Sequence, residues 1–333
     1  MEPGSPEWLA QVTEDIVDPD QRIIDPHHHL WSPNGAIPYG LDDLHRDTGA
    51  GHKVEATVFV ECHSSYRPDG PEHLRPVGET EFVVANAKAS AAGDGAEIRG
   101  IVGHVDLTLD PSLFDEVLDA HVEVAGDLFK GIRHYGAHDA EPEALTIPGA
   151  AGPDFFSNAA VLAGVSRLGE RGLTYDSWHY HHQNQDFASL AAAAPNTTMV
   201  LDHFGTPLGV GRYEGSREEI FEAWKTDIAA IAANDNVVAK LGGLAMPDNG
   251  FGWHLSERPP TSDEFVAAQE RYYRHTIDCF GPRRCMFESN FPVDRFSISY
   301  NVLWNGLKKI AAPFTASERD DMFYGTALRV YGL

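Results

Sequence analysis

The sequence predicts an α/β protein: a single (β/α)8 TIM barrel over residues 22–333, preceded by an N-terminal extension over residues 1–21. Three observations carry this. Eight short runs rich in Val and Ile alternate with longer segments of helical period, most of those runs are apolar throughout, and no GxGxxG follows the first of them. Strands that are apolar on both faces belong to a parallel sheet covered by helices. An open doubly wound sheet would alternate in the same way, but the missing glycine-rich turn and the count of eight favour a closed barrel.

In chain order, the strands are expected near Arg22–Asp25, Thr57–Cys62, Ile98–Val105, Leu128–Arg133, Leu173–Ser177, Thr198–Asp202, Val237–Leu241 and Cys285–Ser289. Between the sixth and seventh, Ile220, Phe221, Trp224, Ile228 and Ile231 share one helical face, and Ser216 with Glu219 has capping-box spacing. A second such box, Thr315 with Glu318, opens the last helix. Three long loops, His63–Glu79, His134–Asp154 and Ala245–Asp263, leave the C-terminal ends of strands, where this fold builds its sites.

The 333 residues carry a formal net charge of −25. That field repels phosphate backbones and anionic membrane surfaces, so neither nucleic acid nor membrane is an expected partner. A small molecule is the expected ligand, and a homo-oligomer is compatible with the sequence. Cys62, Cys279 and Cys285 form no CxxC pair, the first residues lack a signal-peptide pattern, and no run approaches a membrane span. These features fit a cytoplasmic protein.

Histidines fall where loops should begin: His27 and His29 after the first strand, His63 after the second, and His134 after the fourth. His179, His181 and His182 follow the fifth, and His203 the sixth. In a barrel these positions converge on one mouth. Residues i and i+2 of a strand point the same way, so His27 and His29 should present their nitrogens together, with Asp25 on the same face as an orienting carboxylate. Such a pair suits a metal ion, or serves as two hydrogen-bond donors around a polarised carbonyl.

The stretches IIDPHHHLW, VLDHFGTP and RCMFESNFPVDR, in this order and at barrel-like spacing, together with the ending GTALRVYGL, resemble the amidohydrolase superfamily. The resemblance runs from about Arg22 to the C-terminus. It is strongest to the lactonase-like branch with L-fuconolactonases, pyrone-dicarboxylate lactonase and sulfomuconolactone hydrolase. It implies a site at the C-terminal mouth in which His27, His29 and His203 match the family's histidines. The family's eighth-strand aspartate falls on Asn290, which cannot take a proton from water. The base must then be Asp294, Glu288 or Glu61, or else the water is activated by a bound cation.

The reading adopted is a metal-dependent lactonase, with zinc held by His27, His29, Glu61 and His203, and with His203, Asn290 and Asp294 as catalytic groups. Glu61 has a competing use, a salt bridge to Arg67 or Arg133. Arg67 and Arg133 are candidate clamps for an anionic lactone; His182 and Trp178 are further substrate contacts. Two rival readings are a decarboxylase on the same type of site and a binding barrel without catalysis.

Overall fold

The computed structural model describes residues 1–333. Eight strands, β1 (Arg22–His28), β2 (Lys53–Val60), β3 (Glu97–Gly103), β4 (Phe129–Arg133), β5 (Thr174–Ser177), β6 (Met199–Leu201), β7 (Val237–Leu241) and β8 (Cys285–Phe287), form one sheet in that order. Every neighbouring pair is parallel. The ring is drawn closed just beyond β8, where the amide of His29 donates to the carbonyl of Phe291 (2.8 Å) and that of Asn290 to His27 (3.0 Å).

Each strand is followed by a helix. These are α1 (Leu41–Thr48), α2 (Val77–Ala91), α3 (Pro111–Ala125), α4 (Ala159–Glu170), α5 (Asn184–Ala193), α6 (Arg217–Ala232), α7 (Ser262–Phe280) and α8 (Tyr300–Ala311). The α/β barrel inferred from the alternation is therefore the fold. No helix is long and apolar enough to cross a membrane.

The period of two sorts the strand residues into two cores. Outward residues such as Met199, Leu201, Val237, Ala239, Leu241, Cys285 and Phe287 pack in the layer shared with the helices. Inward residues Ile24, Ala56, Val58, Val60, Val102, Val200, Val238 and Met286 fill the lower barrel. There they meet Tyr324, Ala327 and Tyr331 of the C-terminal turns, which stopper the N-terminal end of the barrel. Arg22, at the start of β1, lies over the Tyr324 ring at 3.8 Å.

The extension lies against the outside of the ring. Trp8 is buried and its indole donates to Ser256 (3.2 Å), and the amide of Val17 donates to the Asn305 side chain of α8 (2.8 Å). Of the two capping boxes, Thr315 with Glu318 forms, whereas Ser216 makes no side-chain cap. Its backbone (φ −98°, ψ 14°) lies outside the extended conformation typical of an N-cap.

Candidate active site

The same period of two that buries Thr174, Val200, Val238 and Met286 inside the barrel puts an ionisable side chain one step above each: Asp176, Asp202, Lys240 and Glu288. All four are fully buried. Lys240 Nζ donates to Asp176 Oδ2 at 2.7 Å and lies 3.2 Å from Asp202 Oδ1; Tyr331 Oη donates to the same Asp176 oxygen at 2.7 Å. The carboxylates hold Lys240 above its ordinary value despite burial, so it is an ammonium and not a nucleophile. Of this polar floor, only Glu288 stands among the residues expected at the site. The floor's signal was a charge inside each of four otherwise apolar runs, LTYDS, VLDH, VVAKL and CMFES.

Above the floor, His27 and His29 face one another, with Nε2 atoms 3.3 Å apart. They reach this position through a bulge: β1 advances from Asp25 to His28 while β2 advances only from Thr57 to Phe59. The extra residue reverses the parity, which corrects the placement of Asp25. Instead of sharing their face, Asp25 accepts from the Ser289 amide and Tyr300 Oη, each at 3.0 Å, behind the strand. His28 also turns away, to Thr57 Oγ1 (3.0 Å).

Glu288 sits between two imidazoles. His203 Nδ1 donates to its Oε1 at 2.7 Å, and His27 Nδ1 lies 2.8 Å from its Oε2. His203 and Asn290 both hold left-handed backbone (φ 53° and 54°), strained for residues with a Cβ. A Cβ added at Gly243 would stand 2.2 Å from His203 Nδ1, so only glycine lets this ring lie where it does. Asn290 Nδ2 donates to Asp294 Oδ1 (2.9 Å) and the Ala245 amide to Asp294 Oδ2 (3.2 Å). Both oxygens of Asp294 are thus engaged, and burial pushes its carboxyl up to about 7.

The arginines are spoken for. Arg133 is almost fully buried: its Nε donates to Glu61 Oε1 at 2.7 Å and its Nη1 to Asp202 Oδ2 at 3.4 Å. The Glu61 of the expected metal set is therefore an ion-pair partner of Arg133. Arg67 pairs with Glu81 along a surface groove bordered by residues of α3, so neither guanidinium is a free clamp. His182 is exposed and both ring nitrogens are engaged, Nε2 with the His138 carbonyl (2.9 Å) and Nδ1 with Tyr213 Oη (3.2 Å). It orients a loop. Trp178 packs edge-on against Tyr135 with ring centroids 5.4 Å apart, and its buried Nε1 has no acceptor in the protein.

The sequence profile of the amidohydrolase family matches residues 24–333. The chain belongs to the amidohydrolase family. It is 29% identical over 323 residues to an L-fucono-1,5-lactonase of Burkholderia multivorans, covering 93% of this chain and 96% of that protein. It is also 29% identical over 325 residues to a Sinorhizobium fredii protein designated y4mH, covering 94% and 99%. Among solved structures, an amidohydrolase from Burkholderia multivorans with bound zinc superposes with a TM-score of 0.72 at 25% identity, covering 93% of this chain and 99% of that one.

The residues of this amidohydrolase fit a divalent ion at His27 and His29. Burial holds both imidazoles well below their usual range, so they are neutral. His29 Nδ1 must carry the proton it gives to the Val60 carbonyl (2.8 Å), leaving a lone pair on Nε2. For His27, Lys240 Nζ donates to Nδ1 at 3.3 Å, while Glu288 Oε2 lies 2.8 Å from the same atom without a hydrogen bond. Arg133 Nη1 faces Nε2 at 3.4 Å. The two Nε2 atoms, 3.3 Å apart, suit one ion. Their separation is that of two nitrogens about 2.05 Å from one tetrahedral zinc, roughly 3.3 Å. His203 and Glu61 are not drawn into one cluster with this pair. His203 instead groups with His27 and Glu288, and Glu61 with His63 and His104.

Proposed function

We propose that this amidohydrolase opens a small, neutral, hydroxyl-bearing lactone by attack of an activated water. The observation that carries the reading is the His203–Glu288 pair. Glu288 fixes the proton on His203 Nδ1, which leaves Nε2 basic, the arrangement by which a carboxylate orients a histidine general base. The base role expected of Asp294 passes to His203, because both Asp294 oxygens already accept protein hydrogen bonds.

His203 takes the proton from water as the oxygen attacks the lactone carbonyl, and Glu288 stabilises the imidazolium. The same proton returns to the ring oxygen as the acyl C–O bond breaks, giving a hydroxy acid. Asn290 gives its Nδ2 to Asp294, so its Oδ1 faces the other way as an acceptor that holds the water. His27 and His29 would hold the divalent ion, zinc being the best match to two imidazoles, and the ion supplies polarisation of the carbonyl oxygen. Trp178 Nε1 is a donor for a substrate hydroxyl or carbonyl.

The substrate class follows from what the arginines do. Arg133 and Arg67, the two expected clamps, are held by carboxylates, which supports a neutral lactone over the charged one the sequence suggested. Similarity to an L-fucono-1,5-lactonase points the same way. The test is a panel of sugar 1,4- and 1,5-lactones with zinc-loaded protein and a pH indicator. One proton released per turnover supports the reading. Silence on every lactone, with carbon dioxide released from hydroxybenzoates, would replace it with a lyase.

A further inference from the structure

We propose a second cation site at the ends of β2 and β3, built from Glu61, His63 and His104 and separate from the His27–His29 pair. One ligand atom from each of the three residues lies within 4.8 Å of the others. Glu61 is 1% exposed, and only its Oε1 is used, by Arg133. Its Oε2 is buried and makes no hydrogen bond, although His63 Nε2 lies 3.2 Å away. A buried carboxylate oxygen left in this state costs stability unless a proton donor or a cation meets it.

The two imidazoles are positioned for the second role. His104 Nδ1 is 3.1 Å from the carbonyl of Arg133, which can only accept, so His104 Nε2 carries the lone pair. His63 is held in left-handed backbone (φ 58°), where a side chain with a Cβ is strained. That conformation lays its ring over Glu61, between His104 and Tyr135, with ring centroids 5.1 and 5.4 Å away.

Two imidazole nitrogens and one carboxylate oxygen select a borderline transition metal, zinc or cobalt(II), over calcium or magnesium. The His63 side chain is 44% exposed, so the fourth coordination position opens to solvent. That is the pattern of a site which takes water or a ligand oxygen, not of a closed structural zinc. The same Arg133 that binds Glu61 also touches His27, so a single buried guanidinium stands between the two cation positions.

The experiment is equilibrium dialysis of the metal-free full chain against zinc, with elemental analysis, and titration with cobalt(II) followed by its d–d absorption. Wild type should bind two ions per chain. The double substitution His63→Gln with His104→Gln should lose one, and His63→Gln alone, on an exposed ring that can change without unfolding, should weaken that ion by about 10–100-fold. The pair His27→Asn with His29→Asn should still bind the second ion, a result that stands even if the lactonase reading fails. Unchanged stoichiometry and affinity in the His63→Gln and His104→Gln protein would overturn the proposal.

Discussion

Replacing Glu288 by Gln tests the chemistry of the site most directly. The carboxylate meets two imidazole Nδ1 atoms, at 2.7 Å from His203 and 2.8 Å from His27. Gln keeps the size but has one acceptor oxygen, so its amide N–H must face one of the two rings. His203, the ring hydrogen-bonded to the carboxylate, would move its proton from Nδ1 to Nε2 on meeting the amide. If the ring facing the amide is His203, the base is lost, and the cost is that of a mis-set tautomer, about 10²–10⁴ in kcat. If it is His27, the ring loses the negative charge beside Nδ1, and zinc affinity falls about 10–100-fold, as expected for a lost orienting partner. The bond from His203 to the charged carboxylate is worth about 1.5–3 kcal/mol, so the fold survives the change within an ordinary stability margin. The assay is kcat at saturating zinc, paired with zinc affinity from competition with a chromophoric chelator. A folded Glu288→Gln protein with kcat within about threefold of wild type and unchanged zinc affinity would refute the reasoning.

Four further outcomes follow from the same geometry. Asp294 titrates near 7 in the folded chain because it is buried, against about 3.9 unfolded, so between those values the folded state keeps a proton the unfolded chain has lost. Its contribution is full below about 3.9 and is lost at about 1.4 kcal/mol per pH unit as the pH rises to 7, where the fall ends; urea midpoints of Asp294→Asn should lack that fall. Lys240→Met should cost about 3–5 kcal/mol in urea unfolding, because Asp176 and Asp202 lose a buried counter-charge. Trp178→Phe should raise KM about 5–10-fold with kcat nearly unchanged if the indole N–H binds substrate uniformly, which steady-state kinetics on one lactone will read. Chelation should abolish activity and zinc restore it; full activity in chelator would remove the ion from the reaction.

The strands were legible because burial on both faces leaves apolar runs that need no partner to be recognised. Val237–Leu241 was placed with the bounds the structure shows. His27, His29 and His203 could be located from motif and strand-end position, since each depends on only a few neighbouring residues. What escaped is nonlocal. Arg133 and Glu61 are 72 positions apart, and nothing in either segment decides between the salt bridge and separate ligand and metal roles. The bulge at Pro26 and His27 was equally hidden, because a one-residue slip depends on how β1 registers with β2.

Tyr331 closes a hydrogen bond to Asp176 across 155 positions of chain. The ammonium of Lys240, on yet another strand, shares that carboxylate oxygen. Half of this barrel folding ahead of the rest would strand Asp176 in an apolar interior with neither partner, so β5, β7 and the C-terminal turn must commit together. Conformational opening at the bottom of the barrel is therefore tied to loss of charge balance at its centre. Amides of β5 and β7 should exchange with solvent only through global unfolding, at one shared free energy.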